Sequence, residues 1–208
     1  MGTRGCVGWT MDGKNYVETY NHYDSYPEGL GTEILEAIIK GSIDLAVLQD
    51  NIAGVTLVDD NTSKPSKEEI EQYLEYSNNP NGLKELDWYW LLRNVQGASK
   101  LTEIAKGKLH HVIVNPGWMK DSLFCEFGYT LNFLTRELEF WEGFQKKGQK
   151  GNPFGSRKPK DAEYYPCKRV GTISFRDLRL KPLWWCVEKM RSFYPNKKIW
   201  IRKVGVVK

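Results

Sequence analysis

The chain predicts an α+β fold in which antiparallel hairpins form one or two sheets packed by helices. Three observations lead there. Strand-like runs flank turn signals in "TRGCVGWTMDGKNYVETYNH" and again in "CEFGYTLNFLTRELEFWEGF". Apolar residues recur at helical spacing in "TEILEAIIKG" and "SKEEIEQYLEY". The Gly-x-Gly-x-x-Gly and P-loop fingerprints are absent, so neither a dinucleotide-binding nor a P-loop domain is indicated.

Each element has its own justification. In the first hairpin, Asp12-Gly13 reads as a two-residue turn, because a type I′ turn needs φ > 0 at both central positions. Val7, Trp9, Tyr16, Val17 and Tyr20 suit the flanking strands. Alternation puts Thr3, Gly5, Val7 and Trp9 on one face, with Arg4, Cys6, Gly8 and Thr10 on the other. Ile34, Leu35, Ile38 and Ile39 then form a helical stripe that Gly41 can end. "IDLAVLQDNIAG" suggests a short helix and "VTLVDD" a short strand. Ser66 with Glu69 makes a capping box, so a helix follows, with Ile70, Tyr73 and Leu74 inward. "NNPNG" breaks the chain. "LDWYWLLRNVQG" reads as one amphipathic helix burying Trp88, Leu91, Leu92 and Val95. After the central hairpin, a helix from about Lys181 has Pro182 in its first turn and Trp184 in the core. "KKIWIRKVGVV" closes as a strand.

The 208 residues suggest one domain: an α+β core over 1–143, a basic mobile loop over 144–160, and a basic helix–strand over 161–208 completing it. Mean hydropathy is −0.55, and no apolar run is long enough to span a membrane. No export signal is read at the N-terminus, and "MGTRGC" has Cys6 where a myristoylation signal wants Ser or Thr. A cytoplasmic location is expected. Cys6, Cys125, Cys167 and Cys186 are widely spaced and histidines number three, so buried free thiols are expected, with no metal and no cofactor.

Charge is unevenly divided. Residues 144–208 hold 18 Lys or Arg against 4 Asp or Glu, whereas residues 1–143 hold 12 against 22. Either the basic third packs on the acidic remainder, or it receives an anionic partner, a nucleotide or a nucleic acid. "FQKKGQKGNPFGSRKPK" favours the partner, because Gly, Pro and like charges disfavour regular structure.

"YNHYDSYPEGLG" is the densest polar cluster. If the second strand runs on to Asp24, His22 and Asp24 point the same way, and the carboxylate can orient the imidazole. His22, Asp24 and Asn21 are then candidate catalytic residues, with Ser25 and Tyr26 as substrate contacts. The competing reading is a capped turn in which Asp24 and Ser25 bond to local backbone. Arg4 can hold an anion or pair with an acid. Arg93 and Gln96, three apart on the expected helix, can share a face with a ligand.

"MGTRG", "YNHYDSYPEGLG", "DWYWLLRNVQG" and "DSLFCEFGYTLNF" together resemble a widespread family of microbial, fungal and viral proteins. The likeness covers most of residues 1–143 and implies a shared fold rather than an activity. The strand pattern is also similar to N-terminal-nucleophile hydrolases, which sandwich two antiparallel sheets between helices. Those enzymes act through a first residue that is Cys, Ser or Thr, whereas loss of Met1 here exposes Gly2. Two functions stay open. One is a hydrolase or transferase acting on a small polar or anionic substrate at His22 and Asp24. The other is a non-catalytic, viral-type protein that binds an anionic nucleotide or nucleic acid through its basic C-terminal third. Membrane partners are not expected, and nothing in the sequence bears on oligomeric state.

Overall fold

The computed structural model describes residues 2–77, 87–160 and 162–195, and they form an α+β fold. Its centre is a five-stranded sheet in the order β2-β1-β5-β6-β7. The strands are β1 (Gly5–Thr10), β2 (Tyr16–Asn21), β5 (Phe127–Asn132), β6 (Glu137–Glu142) and β7 (Lys168–Ser174). Both expected hairpins form, β1 with β2 and β5 with β6. They join through a parallel pair, β1 with β5, in which Val7 lies opposite Tyr129. A separate two-stranded parallel sheet pairs β3 (Thr56–Val58) with β4 (His111–Ile113). The sheets are thus one mixed and one parallel, not a stacked antiparallel pair.

Period-two alternation gives the large sheet two different faces. Val7, Trp9, Tyr129, Leu131, Leu138, Phe140 and Ile173 point into the main core. Helices α1 (Thr32–Ile39), α5 (Gly97–Ala105), α6 (Phe175–Leu180) and α7 (Leu183–Ser192) contribute to that core. The other face buries Cys6, Met119, Cys125, Trp141, Phe154 and Cys167. It also holds Glu139, fully buried, which accepts hydrogen bonds from Tyr16, Thr130, Asn132 and Arg169. The four cysteines are buried free thiols, as their spacing suggested.

The helices start where side chains can cap them. Asp44 accepts from the Ala46 and Val47 amides to begin α2 (Leu45–Ile52). Ser66 and Glu69 form the expected capping box before α3 (Lys67–Tyr73). Asp87 caps α4 (Trp88–Leu91).

Several expectations are corrected. The first hairpin is not closed by a two-residue turn. Residues 11–15 connect the strands, only Gly13 among them has positive φ (71°), and Asp12 Oδ1 accepts from the Lys14 and Asn15 amides. Trp184 is not in the core but 67% exposed, because α7 turns Cys186, Val187 and Met190 inward. The basic segment 144–160 lacks helix and strand but is tied down along its first part. Gln145 bridges Tyr165, Gln149 exchanges two hydrogen bonds with the Arg169 backbone, Asn152 donates to the Cys167 carbonyl, and Phe154 is buried. The expected break at "NNPNG" and the closing strand "KKIWIRKVGVV" lie outside the described residues. No helix among the described residues is long and apolar enough to cross a membrane.

Candidate functional site

The polar cluster divides into a structural half and an accessible half. β2 ends at Asn21, and Asp24 takes a left-handed conformation (φ 46°), so the alternation that would align Asp24 with His22 is broken. Asp24 is exposed, and its carboxylate has no partner among the described residues. Asn21 and Ser25 are buried and spent on the turn. Asn21 Nδ2 donates to Ser25 Oγ at 2.8 Å, the Ser25 amide donates to the Thr3 carbonyl, and Tyr129 Oη donates to the Ser25 carbonyl. Gly5 permits that closeness, since a Cβ there would sit 2.5 Å from Ser25 Cβ. Tyr26 is half-buried against the main core.

His22 belongs to the accessible half. Its Nδ1 shares a hydrogen bond with Tyr20 Oη at 2.6 Å, and its amide donates to Gln96 Oε1 at 2.9 Å. Its Nε2 has no partner among the described residues. The Tyr23 ring meets the imidazole edge-on at 4.2 Å. Arg93 donates to Tyr23 Oη at 3.2 Å and lies over the Tyr89 ring at 4.9 Å, while its Nη1 is buried without a hydrogen-bond partner. Arg4 lies over the Phe124 ring at 4.5 Å and pairs with no acid among the described residues. Arginine ion pairs among the described residues involve only Arg169 and Arg191. Partial burial, then the charges of Arg93 and Arg4, push the His22 pKa below its ordinary value, so the imidazole is neutral at pH 7. Burial pushes Tyr20 upward, so its hydroxyl stays protonated.

Arg4, His22, Arg93 and Gln96, all expected at a site, therefore come together, but not by the expected route. α4 stops at Leu91, so Arg93 and Gln96 lie in the connection to α5. Gln96 holds that connection by accepting from His22 and donating to the Arg93 carbonyl. α5 then starts at Gly97, with φ 58° and a missing Cβ that would come 2.9 Å from Asn21 Oδ1. Only glycine fits both demands.

Behind Tyr20 and Gln96 lies a cavity of about 100 Å³, lined also by Tyr89, Lys100, His111 and Asn115. His111 is fully engaged, with Nδ1 bonded to Tyr73 Oη, Nε2 on Glu69, and the ring stacked on Trp88. Asn115 Oδ1 accepts from the Tyr20 amide, and its Nδ2 has no acceptor among the described residues. Lys100 is 6% exposed and has no hydrogen bond or ion pair among the described residues. Burial pushes its pKa down to about 8. Lys100 was missed by the sequence reading, yet a signal was present. Gly97, Lys100, Leu101 and Ile104 form an i, i+3, i+4, i+7 stripe with a lysine in an apolar place.

Among the described residues no three His, Cys, Asp or Glu side chains are arranged to hold a metal ion. Comparison with family models, curated proteins and solved structures finds no match to the chain.

Proposed function

We propose that the chain is a hydrolase or transferase that takes a small anionic substrate between Arg4 and Arg93, with His22 as its proton-handling group. The observation that carries this reading is the free Nε2 of a neutral imidazole within reach of the charges of two guanidinium groups that have no acid partner among the described residues. An anion is the missing counter-charge. With Tyr20 donating to Nδ1, His22 Nε2 carries hydrogen and donates to the substrate. With the other tautomer, Nε2 is a base. Asp24 has no part in this version, and Tyr20 takes the orienting role first given to it. Asn21 and Ser25 set the turn that presents His22.

The test is turnover of p-nitrophenyl phosphate and p-nitrophenyl acetate by the intact chain. His22→Ala is expected to lower any turnover about 10²- to 10⁴-fold with the melting temperature nearly unchanged. A large loss of stability with unchanged turnover assigns His22 to the fold instead.

A second reading, non-catalytic capture of a nucleotide or nucleic acid, draws on a different place. A cleft of about 620 Å³ between α1, α2 and α6 is lined by Arg136, Arg176 and Arg179. Two of these belong to the basic C-terminal third. This reading requires binding to single-stranded oligonucleotides that weakens steeply with salt, and salt-insensitive affinity removes it.

A further inference from the structure

Lys100 is the least expected side chain of the main core. α5 carries it on the stripe shared by Leu101 and Ile104, so it points inward, where an ordinary lysine stem would reach out to water. Lysine ion pairs among the described residues involve Lys40, Lys106 and Lys146, not Lys100. Among the described residues, the group that bears on it electrostatically is the Cys6 thiol, itself held protonated by burial. A charged ammonium in that position would be desolvated with no counter-ion among the described residues, which is costly, so a far larger share of free amine is present near neutral pH than in an ordinary lysine. The side chain does not end in packed apolar atoms: it lines the cavity with Tyr20, Gln96 and Asn115.

We propose that Lys100 is an amine nucleophile that forms an imine with a small carbonyl compound admitted to this cavity. An engineered cavity of about 150 Å³ holds benzene, so a cavity of about 100 Å³ takes a compound of fewer non-hydrogen atoms. A short aldehyde or ketone fits, and a nucleotide or aromatic aldehyde does not. The Nζ lone pair forms the C–N bond as the carbonyl π pair moves to oxygen, which takes a proton from nitrogen. The C–O bond of the resulting carbinolamine then breaks. Its hydroxyl leaves as water with the second amine proton, and the C=N bond forms. The free Nδ2 of Asn115 is the donor on hand for the carbonyl oxygen. A desolvated lysine is a recognised way to make such a nucleophile at neutral pH. The inference stands apart from the His22 reading. Tyr20 and Gln96 border both places, but His22 Nε2 takes no part in imine formation.

The test is reductive trapping. The intact chain is incubated at neutral pH with dilute acetaldehyde and cyanoborohydride, which delivers hydride to C=N and leaves a stable secondary amine. Peptide mass mapping then ranks the lysines by rate. Lys100 is expected to be labelled at least about tenfold faster than exposed lysines, whose ordinary pKa leaves almost no free amine. Benzaldehyde should show no preference for Lys100, because it exceeds the cavity. Lys100→Met should lose the fast label while keeping the wild-type circular dichroism spectrum. The wild-type ranking decides the matter even if that variant does not fold. Labelling in which Lys100 is not ahead overturns the proposal, and so does a Lys100 preference that benzaldehyde shares.

Discussion

Glu139 offers the sharpest test of how the sheet is held together. It is fully buried, yet it accepts from Thr130 Oγ1 at 2.8 Å, Asn132 Nδ2 at 3.0 Å, Tyr16 Oη at 3.0 Å and Arg169 Nη1 at 2.8 Å. Those donors come from β2, β5 and β7, so one carboxylate ties three strands to β6. Glu139→Leu takes the acceptor from the Thr130 hydroxyl and leaves Asn132 Nδ2 only its 3.5 Å contact with Tyr16 Oη, at about 1–3 kcal/mol each. Tyr16 and Arg169 are partly exposed and recover part of their loss from water. The apolar replacement offsets some of the rest by removing a buried charge. The net cost is about 3–5 kcal/mol, which for a chain of this size lowers the melting temperature by about 6–20 °C. Arg169→Met leaves Glu139 its three neutral donors. The Arg169 side chain is 45% exposed, so the charge-assisted bond is screened and its loss costs about 1–2 kcal/mol. Urea unfolding of the two variants and of the double variant measures all three terms. In the double variant the cost should match Glu139→Leu within about 1 kcal/mol, because Arg169 has already lost its partner. Glu139→Leu within about 1 kcal/mol of wild type, or Arg169→Met as costly as Glu139→Leu, refutes this account.

Three further outcomes follow from the same structure. Limited trypsin digestion should cut first between Arg157 and Lys160, which are exposed beyond the Phe154 anchor, and later at Lys146 to Lys150, where Gln145, Gln149 and Asn152 hold the chain; earliest cleavage at Lys146 to Lys150 contradicts the anchoring. His22 should titrate below 6.5 by NMR, and Arg93→Met should move it upward. Because the folded form resists protonation, this residue's share of stability is full above its unfolded pKa and is lost as pH falls through it towards the folded value; in Arg93→Met that loss should shrink. Ser66→Ala should cost about 1 kcal/mol through the lost cap, read by urea unfolding, and no change would mean that packing alone holds α3.

How much of the fold was legible depended on whether local pattern and tertiary contact agreed. The two hairpins, α1, α2, β3 and α3 were readable because alternation, helical spacing or a cap lay within a few residues. β4 was not, since its three residues pair only with β3, more than fifty positions earlier, and neither strand is stable alone. β7 was hidden by Lys168, Arg169 and Gly171, which blur the alternation on an outer strand. Gly171 is there because the Phe193 ring lies 2.3 Å from where its Cβ would be. α5 was concealed by the lysine in its apolar stripe, the same feature that makes it chemically interesting.

The candidate site shows the same division one level up. Residue types were readable: an imidazole among tyrosines, two arginines and a glutamine. Their partnership was not, because it depends on two backbone departures. The positive φ of Asp24 takes its carboxylate away from His22, and the helix end at Leu91 lets Gln96 reach the His22 amide. Neither would follow from extending a regular element by two or three residues. Asp24 was placed by assuming that the strand went on, and Arg93 by assuming that the helix did. Arg93 still arrived beside His22, because the connection that replaced the helix is pinned at Gln96 from both sides. The regular elements thus position the irregular connections, and those connections carry three groups with no partner among the described residues: His22 Nε2, Arg93 Nη1 and the Asp24 carboxylate. Lys100, by contrast, has no partner among the described residues yet is set on a regular helix. That is why the trapping experiment on Lys100 tests a rigid site, while the His22 experiments test whether a pinned loop holds its geometry well enough to do chemistry.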